Sequence, residues 1–65
     1  MKVKDLLKKV EDPKIYIEFI DSKGFASYGF YTRNELKYND RFSNDNIKSI
    51  NIQYIKNKRV IILYI

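Results

Sequence analysis

The chain has 65 residues, 45% of them hydrophobic, and a formal net charge of +5, with no cysteine, histidine or tryptophan. Lacking imidazole and thiol, it has neither the side chain that titrates near neutrality nor the softer metal ligands, which argues against an enzyme and implies no cofactor. A domain this small hides only about 60% of the surface its unfolded chain exposes, so without staples its core must suffice or be completed by a partner, and homo-oligomers enter consideration.

The N-terminal stretch places Val3, Leu6, Leu7 and Val10 at helical spacing with charged residues between them, which predicts an amphipathic helix of about three turns. Asp12-Pro13 ends it, because a residue before proline avoids helical geometry. From Lys14 the period becomes two. Ile15, Ile17 and Phe19 then share one face of a first strand, with Tyr16, Glu18 and Ile20 on the other.

Asp21-Ser22-Lys23-Gly24 has the composition of a three-residue hairpin loop, which returns the chain antiparallel from Phe25 to Tyr31. Pairing Asp21 with Phe25 puts Phe25, Ser27, Gly29 and Tyr31 on the Ile17 face and Ala26, Tyr28 and Phe30 on the Tyr16 face. Thr32-Arg33-Asn34-Glu35 has capping-box spacing and predicts a single helical turn through Leu36 to Tyr38, followed by a polar loop from Asn39 to Asn46.

Residues 47–55 and 59–65 read as two long strands joined at Lys56-Asn57-Lys58, a second hairpin. A two-residue loop places Ile50, Ile52 and Tyr54 on the face of Ile61, Leu63 and Ile65, which is then wholly apolar. The last strand is apolar on both faces and belongs inside a sheet. The expected fold is one α+β domain spanning 1–65, an N-terminal helix on a small antiparallel sheet of two hairpins, about four strands. A partly open β-barrel with an N-terminal helix is the alternative.

Lys23-Gly24-Phe25-Ala26-Ser27-Tyr28-Gly29-Phe30 resembles the ribonucleoprotein octapeptide of RNA-recognition and cold-shock domains. The resemblance marks Phe25 as a base-stacking candidate, but Ser27 stands where that motif has its second ring, and Lys23-Gly24 completes a hairpin turn. Asp40, Asn44, Asp45 and Asn46 lack the glycine and closing glutamate of a calcium loop, so they read as a solvated turn and no metal site is assigned. No set of Tyr, Lys, Arg and Glu stands out as ribonuclease machinery.

Charge divides unevenly: residues 1–32 hold six basic and five acidic side chains, and 33–65 hold seven and three. Lys56, Lys58 and Arg59, with Arg33, Lys37, Arg41 and Lys48, are candidates for a phosphate-binding groove. The same surplus arises from coding bias, since Lys, Ile and Asn rise together in AT-rich genomes, and here they number ten, ten and six. Tyr16, Tyr28 and Phe30 are candidates for a protein-binding patch.

No run approaches the roughly 18 apolar residues of a membrane span, and the charges of Met1–Val10 exclude a signal core, so a cytoplasmic protein without membrane partners is expected. Overall the composition, opening Val3-Lys4-Asp5-Leu6-Leu7-Lys8-Lys9-Val10 before a strand, resembles short uncharacterised proteins of phages and mobile elements in low-GC Gram-positive bacteria. The expectation is a non-enzymatic protein-binding module that modulates a host or phage partner, with nucleic-acid binding through the basic second half as the alternative.

Overall fold

A computed structural model describes residues 1–65 except Phe25 and Asn39, so the expected Asp21–Phe25 pairing and the stacking role of Phe25 lie outside the described residues. The element order is α1 (Val3–Leu7), β1 (Tyr16–Ile20), β2 (Ser27–Thr32), α2 (Arg33–Tyr38), β3 (Ser49–Ile55) and β4 (Lys58–Tyr64). The strands make one open sheet in the order β2-β1-β4-β3.

Both hairpins form, but the sheet is mixed and not antiparallel throughout: β1 runs parallel to β4, with Ile17 opposite Ile61 and Phe19 opposite Leu63. Two hairpins can dock through any pair of edges, and β4, apolar on both faces, is the strand that gains most from an interior place. The barrel alternative does not hold, because β2 and β3 end the sheet on opposite sides.

The second hairpin closes through Lys56 and Asn57, at φ 51° and 64°. Two consecutive left-handed residues match the twist of the flanking strands. The register follows as expected, with Ile52 opposite Ile61 and Ile50 opposite Leu63. The first hairpin departs from expectation: Ile20 faces Ser27 while Phe19 faces Gly29, so Tyr28 is an extra residue in a bulge and Gly29 takes φ 108°. Ser27 therefore moves to the Glu18 face, where its hydroxyl donates to the Glu18 carboxylate at 2.9 Å.

The helix α1 is shorter than its apolar spacing predicts. After Leu7 the chain tightens, with the amides of Lys9 and Val10 donating to the carbonyls of Leu6 and Leu7, and turns toward β1. Its N-terminal amides at Val3 and Lys4 donate to the carbonyls of Asp45 and Ser43 in the segment that leads to β3. The capping box of α2 is present, since the Thr32 amide donates to the Glu35 carboxylate at 3.0 Å and the Glu35 amide to the Thr32 hydroxyl at 3.1 Å.

One core cluster joins Val3 and Leu7 of α1, Leu36 of α2, Phe42, and Ile15, Ile17, Phe19, Ile61 and Leu63 of the sheet. Phe42 stacks on Phe19 with ring centroids 4.2 Å apart, so the expected polar loop contributes a core residue. Val60 and Ile62 are buried on the opposite face. Among the described residues no helix is long and apolar enough to cross a membrane.

Candidate functional site

The pairings carry one row of side chains across the helix-bearing face: Tyr31, then Ile17, then Ile61, then Ile52. The first three are buried or half-buried, whereas Ile52 is 58% exposed, and its neighbours on the strand, Ile50 and Tyr54, are 48% and 71% exposed. Geometry explains the uncovered strand. Four strands span about 14 Å from first to last, and a helix with its side chains covers only about 10 Å. Val3, Leu7, Leu36 and Phe42 join Ile17, Phe19, Ile61 and Leu63 in the core cluster, whereas Ile50, Ile52 and Tyr54 of β3 are exposed.

Beside this stripe lies a cleft of about 360 Å³ floored by Ile15, Ile52 and Ile61 and walled by the Lys9–Asp12 connection, with Arg59 at its edge. Arg59 lies opposite Tyr54 in the hairpin, and its Nη2 donates to the Tyr54 hydroxyl at 3.3 Å. Its guanidinium also sits 5.9 Å from the centre of that ring, so the most exposed apolar side chain of the stripe is held by a cation.

The expected aromatic patch is divided. Phe30 lies opposite Glu18 and shares the helix-free face with Tyr16, where Lys58 stands 5.3 Å from the Tyr16 ring centre. Tyr28 is displaced by the bulge. Its ring lies 5.9 Å from Phe42 on the core side, so its expected place beside Tyr16 and Phe30 is corrected.

The basic residues are divided by the sheet direction. Because Tyr16 lies opposite both Thr32 and Val60, the start of β1, the end of β2 and the tip of the β3–β4 hairpin share one end of the sheet. This end carries Lys56, Lys58 and Arg59 at the hairpin tip, and Arg33 and Lys37, of which the last two line a second, smaller cleft of about 190 Å³ together with Glu11 and Pro13. Arg33 also has a structural task, donating from Nε to the Leu7 carbonyl at 2.8 Å. Lys48 lies at the far end, where its amide donates to the Tyr64 carbonyl, and Arg41 stands 5.1 Å from the Phe42 ring centre. The expected groove of seven cations is thus divided: five stand toward one end of the sheet but on both of its faces, with Lys58 beside Tyr16 and Arg59 beside Tyr54, and two lie elsewhere.

Residues 40–45 fold as turns, with the Ser43 amide and hydroxyl donating to the Asp40 carbonyl and the Asp45 amide to the Phe42 carbonyl. Among the described residues no group of three or more acidic side chains is placed to hold a metal ion. Comparison with family models, with curated proteins and with solved structures finds no match.

Alternation along the strand marks Ile50, Ile52 and Tyr54 as one apolar face, but nothing local in the sequence marks that face as exposed. Two helical segments of five and six residues cannot cover a sheet with strands of five to seven residues.

Proposed function

We propose that this chain is a non-enzymatic protein-binding module whose contact surface is the open face of β3, Ile50, Ile52 and Tyr54, with the adjoining cleft. The observation that carries the reading is the side-by-side exposure of three large apolar side chains on a marginal domain. Such surface costs solubility unless a partner covers it. An aromatic ring at its end, flanked by Arg59, has the composition favoured at interface centres. The resemblance to phage and mobile-element proteins would make the partner a host or phage protein. Tyr16 and Phe30 on the other face are a second, smaller apolar surface, and Tyr28 contributes less because it leans on Phe42.

The placement of Lys56, Lys58, Arg59, Arg33 and Lys37 toward one end of the sheet favours nucleic acid as the second reading, with the exposed Tyr54 available to stack on a base. The two readings separate in one experiment. Wild-type chain and the double variant Ile50→Ser/Tyr54→Ala are immobilised and compared for proteins retained from lysate, while single- and double-stranded nucleic acid is titrated at low and physiological salt. The module reading expects a retained protein that the double variant loses. Micromolar nucleic-acid binding that falls steeply with salt and disappears in Lys58→Glu/Arg59→Glu would instead overturn it.

A further inference from the structure

The two edges of the sheet are not alike. The β2 edge begins in a bulge, has Gly29 at positive φ, and runs directly into α2, features that keep another strand from pairing there. The β3 edge has none of these. Ser49-Ile50-Asn51-Ile52-Gln53-Tyr54-Ile55 is seven residues of regular strand without a charge, proline or glycine, bracketed by Lys48 and Lys56. Its two-residue turn makes Ile55 and Lys58 the closing hydrogen-bonded pair. By the alternation of an antiparallel ladder, the peptide groups of Ile50, Ile52 and Tyr54 then point away from β4 toward the free edge.

We propose that β3 pairs antiparallel with β3 of a second copy of this chain, about a two-fold axis at Ile52, making one eight-stranded sheet. The segment is complementary to itself in this register. Ile52 meets Ile52, Ile50 meets Tyr54, Asn51 meets Gln53, and all three outward peptide groups of each copy find partners. A two-fold contact uses the same edge on both copies and closes, and the blunted β2 edge keeps the assembly from growing into a fibre.

The pairing deepens the protein-binding reading and rests on its surface. It sets the open stripes of both copies side by side, so that Ile50, Ile52 and Tyr54 of each form one apolar strip across the axis, between the helices of the two copies. Each copy's cleft opens onto this strip through Ile52. A further protein would meet six apolar side chains where the monomer offers three.

Each copy carries +5, and Lys48 approaches Lys56 of the second copy at both ends of the paired strands. Salt therefore strengthens this contact by screening like charges, the opposite of its effect on nucleic-acid binding. An edge pairing alone falls below the roughly 1,200 Å² of a stable interface, so association is weak and visible on concentration.

The test uses the cysteine-free chain, in which one introduced cysteine is unique. Light scattering of the wild-type chain across a concentration series, at low and at physiological salt, should show mass rising from 7.9 kDa toward twice that value, and further at the higher salt. Under mild oxidation Ile52→Cys should cross-link, because directly opposed residues lie about 5.5 Å apart between Cα atoms, within disulfide range. Ile50→Cys, four residues out of register with its own copy and thus about 13 Å away, should not. Monomer at every concentration, or equal cross-linking by both variants, overturns the pairing. The lysate comparison is independent: protein retention that depends on Ile50 and Tyr54 in a strictly monomeric chain would leave the binding reading standing while the pairing fell.

Discussion

Arg33 donates from Nε to the main-chain carbonyl of Leu7 at 2.8 Å, binding the β2–α2 junction to the last residue of α1 across 26 positions of sequence. The Leu7 carbonyl is one of those that every helix end leaves without an amide in the next turn. Here a side chain from another element answers it, assisted by the Val10 amide, which reaches the same oxygen at 3.3 Å. A residue that the sequence offers as a phosphate ligand is thus fixed as part of the scaffold.

Replacing Arg33 should therefore lower stability whatever the chain binds. A charged donor on a partly buried carbonyl contributes about 1.5–3 kcal/mol. Arg33→Ala should shift the urea midpoint accordingly. Arg33→Lys keeps the charge but not the placed Nε–H and should recover less than half of the loss. Full recovery by lysine would mean that charge alone matters at this position.

Phe42 is the most consequential residue of the 39–46 segment. It is 4% exposed, stacked on Phe19, edge-on to Tyr31 and tilted against Tyr28. Phe42→Ala should cost about 3–5 kcal/mol, comparable to the whole stability expected of so small a domain. Circular dichroism at room temperature should show it largely unfolded, whereas Phe30→Ala, on the open face, should melt within a few degrees of wild type.

These cases mark what the sequence makes legible. Alternation within Ile15–Phe19 and Ile50–Tyr54 identifies the strands and their faces, and Thr32–Glu35 identifies a helix start, because each is a local pattern with a local cause. Phe42 stands alone among polar neighbours, so no periodicity marks it as core, and only the docking of its segment over Phe19 buries it. The parallel pairing of β1 with β4 is likewise decided between elements distant in sequence. The same holds for the candidate surface: the apolar character of Ile50, Ile52 and Tyr54 is readable, but their exposure depends on how far the helical layer extends across the sheet.

The central place of β4 predicts sensitivity at the C-terminal end of this sequence. Leu63 is fully buried and pairs with Phe19 on one side and Ile50 on the other, and the Ile65 amide donates to the Ile20 carbonyl at 2.9 Å. Removing Leu63–Ile65 takes hydrogen bonds from both neighbours of an interior strand. The truncated chain should lack a cooperative thermal transition. Removing Met1 alone, whose side chain is 59% exposed and whose carbonyl accepts one hydrogen bond, from the Ile47 amide, should lower stability by about 1 kcal/mol or less and leave the transition in place.

The turn of the second hairpin should be open to improvement. Lys56 and Asn57 both hold positive φ, which asparagine tolerates and lysine, with no side-chain means of stabilising it, does not. The pair Lys56→Asn with Asn57→Gly supplies the sequence that this turn favours most and should raise stability by about 0.5–1 kcal/mol. Asn57→Val forces a β-branched side chain into the left-handed region and should lower stability by a similar or larger amount. Thermal melts of the three chains should therefore rank the double variant first, wild type second and Asn57→Val last. The reverse order would mean that the turn adopts another geometry, and with it that Ile50, Ile52 and Tyr54 do not share the face assigned to them.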